Sequence, residues 1–443
     1  MAEAATPPQD PTAIIPTKRF IGLLVLAAVV GVLASLIAWG FLELIFHMQT
    51  WVFTDLPEGL GFDSAPLWWS LPILVIAGLV TAFAIVRLPG HGGHVPAEGL
   101  NAAPTQPIEV PGVILAALAS IGFGVVLGPE APLIAMGGGL GLFAVHLVRR
   151  DAPVEVSTLI ATSATFAAVA FLFGSPIIAA ILLIEAAGLG GSRLPLVLVP
   201  GLLASAVGSL VWIGMGSWTG LSTSEISISA LHLPAFARPD VADFGWTILL
   251  AAAVAVVTFA IFRIARETLR FAKPKPFLVL PVVGLAVSGL AIAFSQAADK
   301  SISDVLFSGE YSLDALVTSP GAWSLSALAL LIAFKGLAYG LSLGSFRGGP
   351  TFPAMFLGAA AGMMAAQLPG FELTPAVAVG IGAGVVSVLR LPLSAVVLGI
   401  VLTAGSGAGA APLIIVGVVV AYLVTLALSA RFASEAPAGS VAG

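Results

Sequence analysis

Glu130 is the one charged side chain in an apolar run from Val110 to Val148, and it sits within Gly128-Pro129-Glu130-Ala131-Pro132. One helix needs about 20 residues to cross a bilayer, and this run is roughly twice that. It must break, and Gly-Pro-x-x-Pro is where it can. Proline cannot continue an incoming helix but suits the first turn of an outgoing one. The expected product is a helix that begins at membrane depth, with free N–H groups and its positive dipole end there. That is an anion site, and Glu130 is an anion tethered at its mouth. A carboxylate at that depth costs about 3 kcal/mol even on the lenient insertion scale, whereas a mere stability cap could lie at the interface for less. The chemistry expected is competition between Glu130, as a gate, and a mobile anion for the same donors.

The spacing recurs at Gly349-Pro350-Thr351-Phe352-Pro353. Gly137 and Gly141 after Pro132 match Gly358 and Gly362 after Pro353, and Pro176 with Ala179 matches Pro392 with Ala395. In a chain with 50 Gly and 31 Pro one match would be chance. Two in order point to homologous halves, and broken helices at corresponding places in two halves point to a transport site. Gly349, Thr351 and Phe352 would supply backbone donors there, with the Thr351 hydroxyl; a glycine-rich helix contact is the alternative. Arg347 either adds positive potential or caps a helix end.

Three further places carry candidates. Around Pro89 to His94, the N–H groups near Gly92 and the His91 side chain would line a polar entrance, with a surface turn as the plain alternative. Reading His91, His94 and Glu98 as metal ligands needs a third firm ligand and fixed geometry, which Gly90, Gly92 and Gly93 oppose; no metal and no other cofactor is expected. Glu185 closes an apolar helix, and it serves a proton path or faces water with equal weight.

The elements that must hold these residues are membrane helices. Of 443 residues, 59% are hydrophobic and 9% charged, with mean hydropathy +1.10. This is the composition of an all-α polytopic membrane protein. A net charge of −5 without a basic patch excludes nucleic acid as a partner. No cysteine is present, so disulfides, thiolate metal sites and Cys nucleophiles are excluded. His-Glu-x-x-His and Walker sequences are missing, which leaves zinc-dependent hydrolysis and ATP-driven pumping without their parts. The protein reads as no enzyme.

Residues 1–19 are expected to form a disordered cytoplasmic tail, 20–215 a first transmembrane repeat, 216–242 a connecting segment, 243–431 a second repeat and 432–443 a tail. The second repeat's opening helix ends in Arg263, Arg266, Arg270, Lys273 and Lys275, nearly a third of the chain's 17 basic residues, which marks a cytoplasmic end. In the first repeat Lys18-Arg19 precedes the opening helix instead. The two openings should run in opposite directions, giving an inverted-topology repeat of tilted and broken helices. Both termini are expected in the cytoplasm, with no regulatory domain after Arg431.

These motifs, in this order from about residue 20 to 431, resemble the CLC family of chloride channels and proton-coupled chloride transporters. Gly128 to Pro132 resembles its G-[KR]-E-G-P, with Glu130 at the gating glutamate. Gly348 to Pro353 is similar to its G-G-x-F-x-P, with the Phe displaced to Phe352 and Thr351 in its place. Gly90 to His94 sits where the family has G-S-G-I-P, His91 replacing the chloride-contacting serine. Ser175 to Glu185 resembles the segment ending in paired glutamates, of which the internal proton glutamate is Ala186 here. The family's chloride-coordinating tyrosine should fall near Ser406, in a stretch without tyrosine. The resemblance implies a divergent bacterial branch: a homodimer in the inner membrane, one pore per subunit, with chloride as the default ion. With Ala186 and Ser406 at those two positions, it implies passive or weakly proton-coupled flux. A proton-coupled antiporter for chloride or another small anion such as fluoride is the alternative.

Overall fold

Proline and glycine decide where the helices of this chain stop. The structure, a computed structural model, describes residues 17–188, 194–215, 228 and 230–434. The expected tails before Thr17 and after Ser434, and residues 216–227 and 229 of the expected connection, lie outside the described residues. The helices are α1 (Thr17–Thr50), α2 (Ser70–Arg87), α3 (Val110–Ile121), α4 (Glu130–Val148), α5 (Val154–Leu172), α6 (Pro176–Ala186), α7 (Leu194–Met215), α8 (Val241–Ala272), α9 (Pro276–Ala298), α10 (Leu325–Ser345), α11 (Thr351–Ala365), α12 (Leu373–Leu389), α13 (Pro392–Leu402) and α14 (Ala411–Ser434), with short helical turns between them. The break expected in the run from Val110 to Val148 falls between Ile121 and Glu130.

Among the described residues nine helices are long and apolar enough to cross a membrane. Five apolar helices are shorter: α3, α6, α11, α12 and α13. The 11 residues of α6 and of α13 rise about 17 Å, little more than half of a hydrocarbon core of ~30 Å. Each starts on a proline, Pro176 or Pro392, at the position where proline suits a helix. Ser175 caps α6 by accepting the Ile178 N–H at 3.4 Å. Asp240 and Asp243 cap α8 reciprocally, at 3.0 and 2.8 Å.

The chain divides into two compact units. Among the described residues the first comprises 17–44, 101–111, 132–188, 194–215 and 228. Its centre is α5, buried along nearly its whole length. Gly137 and Gly141 of α4 lie directly on the backbone of Thr165 and Ala161, and Gly201 of α7 lies on the Phe166 ring.

The second unit comprises, among the described residues, 45–100, 112–131 and 230–434. Here α12 is the fully buried centre. Gly358 and Gly362 of α11 lie on the backbone of Gly380 and Ala376. The glycines that match in sequence thus do the same thing in each unit: they seat a broken helix closely on the helix that follows it. The two helices α2 and α9 meet through Gly78 and Gly284, and α8 meets α10 through Gly340 and Gly344.

Candidate functional site

The two Gly-Pro-x-x-Pro breaks are joined backbone to backbone. Gly128 N–H donates to the Gly349 carbonyl at 2.8 Å, and Gly349 N–H donates to the Gly128 carbonyl at 2.6 Å, as an isolated antiparallel bridge. This corrects one sequence expectation: the Gly349 N–H is spent on Gly128 and is no donor to a ligand. The donor at the start of α11 is Thr351, whose N–H binds Glu130 Oε1. Glu130 is fully buried, and its Oε2 has no hydrogen-bond partner. The Thr351 hydroxyl is buried beside the same carboxylate, short of hydrogen-bond geometry.

Glycine is required at both ends of the bridge because the carboxyl fills the space a side chain would need. A Cβ on Gly128 or on Gly349 would overlap Glu130 carboxyl atoms. Phe352 closes the seat: its ring edge is the other neighbour such a Cβ on Gly128 would meet. Glu130, Thr351 and Phe352 lie together, with the Glu130 carboxylate on the N–H at the start of α11.

Residues that the spacing did not single out support this seat. Tyr339 of α10, fully buried, donates its hydroxyl to the Pro350 carbonyl at 2.5 Å and so fixes the start of α11. Lys335, also fully buried, places Nζ 3.0–3.2 Å from the carbonyls of Asp304, Val305, Leu306 and Phe307, and 4.5 Å from the Phe356 ring centre. A lone lysine in the apolar run of α10 is the same signal that marks Glu130.

His91 and Gly92 lie beside Arg347. Arg347 donates from Nε to the His91 carbonyl at 3.3 Å and from its N–H to Ser120 Oγ at 3.2 Å. His91 has φ +50°, and its Nδ1 is 3.0 Å from the Ile85 carbonyl. Together with Glu98, Lys273 and Ser345, His91 and Arg347 line a cavity of about 540 Å³. Burial lowers the His94 pKa from the usual imidazole value. Ser406 is engaged elsewhere: its hydroxyl donates to the Leu233 carbonyl at 3.2 Å, and its own carbonyl accepts the Phe236 N–H at 2.8 Å. That bond leaves its hydroxyl proton committed. Glu185 is half-buried in the last turn of α6, within the first unit.

Replacing Thr351 by Val preserves shape and removes a hydroxyl from a dry site. We expect the anion to bind about 1 kcal/mol more weakly, a fall of roughly fivefold in affinity. Calorimetric titration with chloride checks this, and unchanged affinity would exclude the hydroxyl from anion contact.

Comparison with known proteins agrees with this geometry. A family model described as voltage gated chloride channel matches residues 98–426. The "Putative ion-transport protein YfeO" of Escherichia fergusonii is 31% identical over 356 residues, covering 79% of this chain and 80% of its own length. Its namesake in Salmonella paratyphi A is 30% identical over 366 residues, covering 79% and 82%. Among solved structures, a slow cyanobacterial Cl⁻/H⁺ antiporter is similar with TM-score 0.75 at 20% identity, over 94% of this chain and 98% of that one. A CLC-type fluoride/proton antiporter is similar with TM-score 0.68 at 18% identity, over 93% and 97%. At those identities the two structures speak to the fold: an all-α polytopic membrane protein with CLC architecture. With the family match spanning most of its length, the chain belongs to the CLC family of voltage gated chloride channels.

Proposed function

We propose that this protein carries chloride, or another small anion, along a path that Glu130 gates, and that it conducts rather than catalyses. One observation carries the reading: a carboxylate occupies the N–H of Thr351 at the start of α11, where a free anion would bind. Protonation removes the carboxylate's charge and with it the reason to hold that donor. The anion then takes the seat. The cavity bounded by His91, Lys273 and Arg347 supports an approach from the basic end of α8, since Ser345 and Arg347 directly precede the bridge. By the same basic residues we orient that end, and both chain termini, toward the cytoplasm of a bacterial inner membrane. The recurring glycine contacts of α4 and α11 support two homologous, inverted halves within each subunit of a homodimer.

Flux is proposed to be passive or weakly coupled to protons. Ala186 cannot titrate, and Ser406 is bound to Leu233, so neither supplies an inner proton step. A coupled antiporter is the second reading, favoured by the activities of the two similar structures, chloride/proton and fluoride/proton antiport. Proteoliposomes decide between them. Anion efflux is measured with chloride, fluoride and nitrate in turn while external pH is recorded. We expect chloride efflux with little proton uptake at full turnover. Robust uphill proton movement under a chloride gradient would favour the antiporter, and failure to pass any anion would end both readings.

A further inference from the structure

One face of α8 changes character along its length, and a cavity opens where it does. Phe259, Phe262, Arg263 and Arg266 stand at i, i+3, i+4 and i+7, the spacing that puts side chains on one side of a helix. The two rings come first and the two guanidinium groups follow toward the basic end, over about 10 Å of helix axis. All four line a cavity of about 550 Å³, together with Arg390 and Glu98. Small-molecule sites occupy roughly 300–1,000 Å³, so this one has room for a ligand. It shares Glu98 and Leu269 with the cavity beside Arg347, but neither His91 nor Arg347 lines it.

Three arginines from two parts of the chain thus converge without a counter-charge. Among the described residues Arg263, Arg266 and Arg390 form no ion pair, and Glu98 lies outside ion-pair distance of them. Glu267, the acid beside them on α8, is spent on Arg270 at 2.8 Å. Arg390 is held in place at the end of α12, where its φ is +57° and its Nη2 donates to Ser429 Oγ of α14 at 2.9 Å. A left-handed residue after a helix is usually glycine or asparagine, so a cap alone does not call for arginine. The Arg263 guanidinium lies 5.3 Å from the centre of the Phe432 ring. Membrane topology needs only positive charge near the end of a span. It does not need guanidinium groups from separate helices gathered around one open cavity. Like charges gathered this way repel, and an anion among them removes that cost.

We propose that this cavity binds the phosphate of an anionic phospholipid, whose acyl chains lie on Phe259 and Phe262. Guanidinium groups take phosphate oxygens in forked pairs of hydrogen bonds. Basic pockets between membrane helices are where anionic head groups collect. Apolar before basic along α8 is the order of a lipid that enters tail-first. Free phosphate would leave the two rings unused. The site is separate from the gate and stands whether or not Glu130 gates the path.

The test is lipid binding to the full-length protein in detergent, counted by native mass spectrometry. The probes are phosphatidylglycerol, phosphatidylcholine with the same chains, and inorganic phosphate. Phosphatidylglycerol should saturate at one molecule per subunit, at concentrations where the other two stay unbound. Arg266→Gln and Arg390→Gln should each weaken it about fivefold. Arg266 is exposed, so its loss does not threaten the fold. Arg270→Gln removes the same charge from a residue that pairs with Glu267 and does not line the cavity, and it should leave binding unchanged. Equal weakening by Arg270→Gln would overturn the proposal, because diffuse surface charge would then account for binding. Phosphatidylcholine bound as tightly would overturn it too, since the acyl chains alone would suffice. Inorganic phosphate bound as tightly as the lipid would make this a free-phosphate site instead. Unchanged binding in both Arg266→Gln and Arg390→Gln would place the lipid elsewhere.

Discussion

Gly349→Ala is expected to open the path at neutral pH, raising chloride efflux about tenfold or more. The nearest atoms to the added Cβ all belong to the Glu130 carboxyl, so the methyl group and the carboxylate cannot share the seat. The backbone at 349 is outside the left-handed region, so alanine is tolerated there. Relief of such overlap costs about 1–3 kcal/mol when a packed core must shift. Here a flexible side chain can swing away instead, forfeiting its bond to Thr351. The bridge to Gly128 is untouched, since it uses only backbone atoms. Efflux assayed at neutral and acid pH should therefore resemble that of a protonated gate. A variant that stays closed at neutral pH and opens with acid as wild type does would show that the carboxylate is not seated at Gly349.

Lys335→Met is expected to destabilise the fold by about 3 kcal/mol, since it leaves buried carbonyls unpaired. Methionine matches the lysine stem in length but leaves the carbonyls of residues 304–307 without the donor they now share. Each buried carbonyl left unpaired costs about 1–3 kcal/mol. The cation–π contact with Phe356 is lost as well. Thermal unfolding of the purified protein in detergent checks this, and an unchanged transition would mean that water can replace the ammonium.

How much of this was legible beforehand depended on how local the signal was. Helix ends at Pro176, Pro392 and the Gly-Pro-x-x-Pro breaks are set by proline within a turn or two. The helices accordingly open on those prolines, α6 at Pro176 and α13 at Pro392. Glu130 stood out because a charge in an apolar run needs no partner to be noticed. Lys335 offered the same evidence in α10, and the intramembrane rule finds it when applied evenly. The Gly128–Gly349 bridge could not be read, since no local feature says which of two distant backbones will use an N–H. Ser406 was placed by family spacing alone, and its hydroxyl went to Leu233, 173 residues away.

Chloride efflux as a function of external pH, in wild type and in Glu130→Gln, tests the gate most directly. Protonating Glu130 removes the competitor at the Thr351 N–H, so wild-type efflux should rise as pH falls. Glutamine cannot ionise, so Glu130→Gln should be conductive and flat across the same range. A Glu130→Gln profile that still rises with acid as wild type does would contradict Glu130 as the gate.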